Sequence, residues 1–517
     1  MSGHVFVVHG DLRRLACDAW LMPCDSEVKP LPQWFEEPES LPDGFRWPDP
    51  PNSWGDDGVR VMPIQAWPPG RPWPWLVNVG SGPGTPMEWF VEGARQFLEA
   101  VGPALKPPCT PRNGRVKPLV ALPVVGTGGG GGHKDAGQIV CHLLQALYAA
   151  AAQHDIDVAL VTNEASAFAA AQAQRPRTVD DPWPLLGWSL REEARRLAGF
   201  AARGDLVLFL GAGVGRSAGL PLWFELLREL ADDAGLGAQR SALDKLNPLD
   251  QAQVIEGRMG GTRRLGDAVA SRLRTPYYGL IHALLAALPV EEAVTTNYDQ
   301  LFEVASEATG RRTAVLPYSS AADSDRWLLK MHGCVSEPGK IVLTRAAYLR
   351  YADNRAALAA IVQALLITRH MLFVGFSLDD DNFHQIIDAV RKAVGRSTRP
   401  RTTKAPFATS LALQSEEVVE ELWREDLHWV SMVEAGRQVP AMEAGRTLEI
   451  FLDHVLAQTA STGHLMDPRF DAVLAEPERQ LRDIMCRFLS EIDRMGPAVK
   501  ETPAWVHVTR LIRSLGG

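Results

Sequence analysis

The 517-residue sequence predicts an α/β protein built from two successive layers of parallel sheet and helix, closed by a C-terminal helical segment. Three observations carry that reading. Short apolar runs alternate with segments of helical period over residues 1–172 and again over 189–458, which is the pattern of strands crossing over through helices. A polar, proline-rich break (AQRPRTVDDPWPLL, within 173–188) separates the two stretches as a linker. In each stretch one apolar run passes straight into a glycine-rich turn, at 126–132 and at 211–215. The length suffices for two or three domains, each with its own core.

In the first stretch the strand candidates are HVFVVHGD (4–11), CDAWLMPCD (17–25), WLVNVGSG (75–82), the apolar part of VKPLVALPVVGTGGGGG (116–132) and DVALVT (157–162). Each is a short apolar run that ends in turn residues. Between the last two, Ile139, Leu143, Leu144, Leu147 and Ala151 fall on one helical face and predict a helix over 135–153. Residues 28–74 interrupt the alternation with PLPQW, RWPDPP and WPPGRPWP. Proline fixes φ and removes a donor, so this segment is expected to lack regular structure. It reads as a surface insertion, or as a lid or partner surface because tryptophan clusters mark interfaces.

In the second stretch a helix pattern at 189–202 leads to strand candidates at 206–210, 292–296, 327–331, 340–344, 371–375, 407–413 and 427–432. Residues 459–517 read as a polar connection (TASTGH) followed by amphipathic helices at about 468–494 and 500–515.

Composition excludes several classes of function. A net charge of −9 argues against broad binding to nucleic acid, which needs many phosphate-neutralising cations. No apolar run reaches membrane-spanning length, and the first residues lack a basic-then-apolar leader, so a cytoplasmic protein is expected. The six cysteines form no C-x-x-C pair, which argues against a structural zinc site and leaves no metal expected.

Chemistry concentrates at four strand ends. GDLVLFLGAGVGRSAGLPLW (204–223) runs from a strand into Gly211, Ala212, Gly213 and Gly215. Arg216 and Ser217 sit where a helix is expected to begin, followed by Leu220 and Pro221. Such a turn lets backbone approach a pyrophosphate at a helix N-terminus. Counted from Gly211, the third glycine of G-x-G-x-x-G is replaced by Arg216, which weakens a dehydrogenase reading. TTNYD (295–299) brings an amide, Asn297, and a carboxylate, Asp299, to one face if the strand continues. KMHG (330–333) places His332 at another strand end. GFSLDDDNF (375–383) adds Gly375, Ser377, Asp379 and Asn382 at a fourth.

In this order and spacing the four segments resemble the sirtuin-like (silent-information-regulator-related) family, in particular its bacterial anti-phage defence branch. The resemblance covers about 190–458 and implies a Rossmann-like domain with a central parallel sheet. It also implies NAD as substrate, hydrolysed to nicotinamide and ADP-ribose. It assigns Gly211, Ala212, Gly213, Gly215, Ser217, Leu220 and Pro221 to the pyrophosphate. Asn297 is assigned to the nicotinamide ribose and the attacking water, His332 to general-base duty, and Asp299 to the nicotinamide side or to buttressing Asn297. Gly375, Ser377, Asp379 and Asn382 are assigned to the adenosine half. Gly215 stands where the family usually has serine, with Ser217 as the candidate replacement. Gly-Leu-Pro-x-Trp (219–223) keeps the defence-branch ending. Deacylases of the family carry a four-cysteine zinc module, which this chain lacks, so an NAD-dependent deacylase or ADP-ribosyltransferase is the second reading. A non-catalytic NAD or ADP-ribose sensor is the third.

The start of the chain, VVHGDLRRLACDAWLMPCD, and VALPVVGTGGGG resemble a macro domain over about 1–165, implying an α/β/α layer. By that resemblance Asp11 contacts adenine and the loop with Gly126, Thr127 and Gly128 holds a diphosphate. The module then binds an ADP-ribose-like or nucleotide activator, or serves as a scaffold. A homo-oligomer, a regulatory partner protein or both are expected, and an NAD-destroying enzyme is expected to be under some restraint.

Overall fold

Each apolar run singled out in the first 172 residues contains a strand. In the computed structural model these are β1 (Val5–His9), β2 (Ala19–Cys24), β4 (Trp73–Asn78), β5 (Leu119–Pro123) and β6 (Asp157–Thr162), with the short β3 (Val61–Pro63) between them. The structure describes residues 2–35, 41, 45–55, 58–65, 67–80, 82, 84–394, 407–459 and 462–517. It divides into two units, one of Met1–Leu185 with Leu456–Gly517 and one of Leu186–Val455.

The first unit holds a six-stranded sheet in the order β1-β6-β5-β2-β4-β3, parallel except where β3 runs against β4. Its strands are buried along nearly their whole length, as a sheet covered on both faces requires. Helices Met87–Ala104, Ala136–His154 and Ala165–Thr178 supply that cover. The helix expected at 135–153 is Ala136–His154, and it buries all five residues of the proposed stripe. At the starting edge of the sheet the buried Asp157 carboxylate accepts from the His4 amide (3.0 Å) and pairs with Arg115 (2.9 Å).

Three expectations for this unit need correction. The linker does not begin at 173, because 173–178 complete the helix Ala165–Thr178. Arg175 there is fully buried and donates to the Val5 carbonyl (2.6 Å). Tertiary burial thus overrides the loop-like composition. Second, the insertion is not wholly irregular, since it contributes β3 and a 3-10 turn, Pro32–Trp34. Its aromatics pack on one another, Phe45 on Trp47 (4.9 Å between centroids) and on Trp67 (5.9 Å). Residues 36–40, 42–44, 56, 57 and 66 of the insertion, and 460–461 of the polar connection, lie outside the described residues.

Third, the tail from 459 is no separate element but part of the first unit. Its expected first helix is split: Pro468–Val473 forms a 3-10 turn, and the helix proper is Glu476–Arg494, with Pro477 in its first turn. The second helix is Pro503–Ser514. The 3-10 turn packs on the start of Ala136–His154, where Phe470 is fully buried. Gly137 permits this approach: a Cβ there would lie 2.9 Å from Phe470 Cα. Arg469 reaches Glu164 (3.0 Å), and Arg177 pairs with Glu478 (3.1 Å).

The second unit is a seven-stranded, all-parallel sheet in the order β13-β12-β11-β7-β8-β10-β9. Its strands are β7 (Leu206–Leu210), β8 (Glu292–Thr295), β9 (Thr313–Leu316), β10 (Arg326–Lys330), β11 (His370–Val374), β12 (Ala408–Ala412) and β13 (Leu427–Ser431). Phe209, Phe373 and Phe383, with centroids 5.0–5.4 Å apart, and Trp423 fill one face of its core. The expected strand at 340–344 is absent. Residues 338–340 form a 3-10 turn, and Val342 makes isolated contacts to the His332 carbonyl and the Tyr298 hydroxyl rather than a ladder. The edge strand β9 was not anticipated, because four residues show too little period.

Two outcomes follow from these contacts. Gly137→Ala should destabilise the first unit by about 1–3 kcal/mol through overpacking against Phe470, read as a lower urea midpoint with faster hydrogen exchange over 468–474. In the second unit His370 stacks on Phe200 (4.1 Å), and burial, aided by Arg196 and His428, pushes its pKa down to about 4. The unfolded imidazole keeps its ordinary value of 6.5 and binds the proton first. This stability contribution is therefore complete above pH 6.5 and is lost as the pH falls towards 4. Urea midpoints measured between pH 7.5 and 4.5 should show that slope, and it should be shallower in His370→Gln.

Candidate active site

The chain leaves β7 towards β8 on one side and returns to β11 on the other, so the sheet order reverses beside β7. Ligands of open parallel sheets bind at the carboxyl ends of strands at such a switch point. Here the loops after β7 and β11 cross in backbone contact. The Gly211 amide donates to the Val374 carbonyl (3.0 Å) and the Gly213 amide to the Gly375 carbonyl (2.9 Å). A Cβ on Gly211 would sit 2.4 Å from Gly375 O, one on Gly213 2.8 Å from Gly375 Cα, and one on Gly375 2.6 Å from the Val214 amide nitrogen. Gly375 also has φ +64°. These glycines are therefore demanded by the crossing itself.

Beyond the crossing the chain does not enter an α-helix at Arg216–Ser217, as the sequence suggested. Ala212–Ala218 is a 3-10 segment, stopped by Gly219 at φ +83°, and the α-helix begins only at Trp223, after Pro221. Ala212 is exposed, Gly213 and Pro221 are half-buried, and Gly215 and Leu220 are buried and joined by the Leu220 amide to Gly215 carbonyl bond (3.1 Å). Ser217 is buried. Its hydroxyl donates to the Val214 carbonyl (3.0 Å), and it lies so close to Gly279 that a Cβ there would be 2.0 Å from Oγ.

β8 ends at Thr295, whose hydroxyl donates to the Leu210 carbonyl (3.0 Å) and accepts from the Asn297 amide (3.0 Å). That turn aims the Asn297 side chain at the glycine crossing, where Nδ2 donates to the Gly211 carbonyl (3.0 Å). Because the strand stops, Asn297 and Asp299 do not share a strand face. Asp299 is buried, and its Oδ1 accepts from the Leu301 amide at the start of the next helix (3.0 Å). Behind this turn Lys330, fully buried at the end of β10, donates to the Asp299 carbonyl and pairs with Glu303 (2.8 Å). Burial is the largest influence and works against the Lys330 charge, but Glu303, Cys334 and Asp299 together raise the ammonium pKa, while burial raises that of Glu303 in turn. Nearby His282 accepts from the Gly279 amide (3.2 Å), and burial pushes its pKa down to about 4, so it is neutral.

His332 follows β10 and is 3 % exposed. Gly333, at φ +101°, turns the chain away from it. Its ring lies edge-on to Tyr348 (5.3 Å) and Tyr351 (5.9 Å). Nε2 is 3.6 Å from Asp380 Oδ2, and Nδ1 is 3.4 Å from the Tyr348 hydroxyl, which donates to the same Asp380 oxygen (2.9 Å). Burial lowers the imidazole pKa against the opposing pull of Asp380, and Arg355 adds to the lowering.

After β11, Ser377 and Asp379 are exposed and Asn382 is buried, its Nδ2 without a hydrogen-bond partner among the described residues. Sequence reasoning missed Lys330, Tyr348 and Asp380. The last is one of three consecutive aspartates, and only the fold tells which one meets the histidine. Tyr348 lies on a separate short helix, Arg345–Leu349, and carries no motif. Among the described residues no cluster of His, Cys, Asp and Glu is arranged to hold a metal, and no helix is long and apolar enough to cross a membrane.

In the first unit the Asp11 carboxylate is held by Arg13 (2.6 Å). Gly126, at φ +83°, lies against Phe90, whose ring a Cβ would meet at 2.3 Å. The Thr127 hydroxyl donates to the Val124 carbonyl (2.9 Å), and Gly128 has open space where a side chain would be. The two loops follow β1 and β5, which flank β6.

The chain is 29 % identical over 218 residues to the NAD(+) hydrolase ThsA of Enterococcus faecium, covering 40 % of this chain and 44 % of that protein. It is 33 % identical over 195 residues to the NAD(+) hydrolase ThsA of Acinetobacter baumannii (strain 532279), covering 36 % and 39 %. It is 27 % identical over 198 residues to the Defense-associated sirtuin 2 of Bacillus subtilis, covering 37 % and 19 %. The chain thus spans less than half the length of these curated relatives. Residues 291–427, from β8 to the start of β13, match the SIR2-like domain family.

Proposed function

We propose that the chain is an NAD+ hydrolase that releases nicotinamide and ADP-ribose, and that it acts in bacterial anti-phage defence by depleting NAD. The observation that carries this reading is that Asn297, anchored on the Gly211 carbonyl at the sheet switch point, and a buried His332 whose pKa is lowered follow the neighbouring strands β8 and β10. Nicotinamide leaves readily because its ring nitrogen starts positively charged and becomes neutral as the glycosidic bond breaks. The site then has to hold the oxocarbenium-like ribose, aim a water at C1′ and receive the proton that the water gives up. A carboxamide fixed by backbone suits the aiming, and a neutral imidazole suits the proton. The names of the relatives, two of them NAD(+) hydrolases and one a defence-associated sirtuin, support the same substrate and setting.

The reading extends to the first unit, taken as a macro-like module that binds an ADP-ribose-like or nucleotide activator through the Asp11 and 126–132 loops. A homo-oligomer or a regulatory partner would add restraint, and the cytoplasm, where NAD is abundant, is the setting. The glycine loop at the end of β5 supports a ligand role, because Gly128 leaves space beside the backbone.

Nicotinamide release from NAD by the full chain tests the first part, with a panel of nucleotides present. Asn297→Ala and His332→Ala should each lower kcat by about 10²-fold or more, and full activity in either variant would sink the assignment. Because burial lowers the His332 pKa, the enzyme should stay active below the ordinary imidazole value of 6.5 and fail only as pH drops through the lowered one. For the first unit, Gly128→Val should weaken ADP-ribose binding in calorimetry by about tenfold and leave nicotinamide release without activator unchanged. Equal affinity would remove the loop from the ligand site.

A further inference from the structure

The acidic run after β11 contains three carboxylates in succession, and they have different environments. Asp379 is exposed, and the Asp381 side chain is 63 % exposed and reaches towards Arg345 (3.8 Å). The Asp380 side chain is only 12 % exposed and is held at both oxygens. Oδ1 accepts from the Phe383 amide (3.0 Å), and Oδ2 accepts from the Tyr348 hydroxyl (2.9 Å) while facing His332 Nε2 at 3.6 Å. A carboxylate fixed in this way, beside a buried histidine, needs a reason beyond the helix cap it provides.

We infer that Asp380 and Tyr348 are positioning residues for His332, selecting the nitrogen that acts as base and balancing the charge it acquires. This rests on the proposed role of His332. A tyrosine hydroxyl has one proton, and here it is donated to Asp380, so towards His332 Nδ1 (3.4 Å) it can only accept. A hydrogen bond at that contact puts the imidazole proton on Nδ1 and leaves the lone pair on Nε2, which is buried and has no hydrogen-bond partner among the described residues, as the base. When a ribose hydroxyl or the attacking water gives up its proton, the O–H bond breaks and an Nε2–H bond forms. The imidazolium charge appears 3.6 Å from the Asp380 carboxylate, and the proton later passes to solvent.

The other ionisable groups around the ring do not supply that balance. Tyr348 and Tyr351 meet the ring in edge-type contacts, and Tyr298, which is tied to the Val342 carbonyl, is neutral because burial raises its pKa. Arg355, which donates to the Met331 carbonyl (2.8 Å), opposes a second positive charge. Asp380 is the group that raises the His332 pKa, against burial and Arg355.

The test is a nitrogen-15 NMR titration of histidine in the full chain, with His332 assigned by its loss in His332→Ala, run beside nicotinamide release. The wild type should show the Nδ1–H tautomer, and Tyr348→Phe should shift it towards Nε2–H. Asp380→Asn should move the His332 midpoint to lower pH, move the acidic limb of kcat with it, and cut kcat about tenfold or more with a smaller change in KM. Asp381→Asn should match the wild type in all of these, and Asp380→Glu should restore part of the midpoint. An Nε2–H tautomer in the wild type overturns the proposal, as does an unchanged or higher midpoint in Asp380→Asn. A fall in kcat without a shift in the acidic limb marks a purely structural aspartate. The tautomer needs no variant and no turnover, so it decides the matter even if Asp380→Asn does not fold. An inactive wild type would refute the hydrolase reading and leave the NMR result standing.

Discussion

The contact between Gly211, Gly213 and Gly375 is the constraint on which the rest of the second unit's site depends. Two loops from neighbouring strands pass at backbone distance, with Cβ positions that would fall 2.4–2.8 Å from the opposing chain. Only residues without a side chain allow the approach. Its consequence is chemical as well as steric. With the Gly211 amide bonded to the Val374 carbonyl, the Gly211 carbonyl is oriented to accept from Asn297 Nδ2 (3.0 Å). A fixed crossing thus sets the orientation of a side chain that arrives from a third strand.

Several buried polar groups do the remaining positioning, paired in ways that offset their desolvation. Lys330 and Glu303 form an ion pair beneath the Asn297–Asp299 turn, and Lys330 also holds the backbone carbonyl of Asp299. Thr295 bonds to β7 through its hydroxyl and to Asn297 through the same oxygen. Arg326, at the start of β10, is buried and spends its donors on the carbonyls of Ala286, Leu288 and Val290, closing the end of the helix Leu280–Ala287. His332 is kept neutral by burial within this frame, with one carboxylate close by for the moment it becomes charged.

The first unit shows the same logic applied to assembly. Its last segment returns from beyond residue 455 and docks through Phe470 against Gly137, a helix glycine that removes the side chain that would block the approach. The ion pairs of Arg469 with Glu164 and Arg177 with Glu478 are partly exposed, so they align the segment more than they hold it. Burial of Phe470, Val473 and Leu474 supplies the main attraction.

Local order was legible in the sequence wherever it depended on short-range pattern. Five strands of the first unit, six of the second and the helix Ala136–His154 follow from apolar runs and helical period, because a strand buried on both faces must be apolar throughout. The glycine turns and the four strand-end motifs were legible for the same reason, since backbone conformation and close approach restrict residue type. What required the tertiary structure was everything that joins distant segments. No local signal tells which of Asp379, Asp380 and Asp381 meets His332, that Tyr348 completes that contact, or that Lys330 lies behind Asn297. The linker-like composition of 173–178 gave way to burial of Arg175, and the expected strand at 340–344 found no neighbouring strand to pair with. Sequence determined which segments become strands, helices and turns, because those are settled within a few residues. The fold decided which side chains meet, because that depends on strand order and on the crossing of loops more than 160 residues apart.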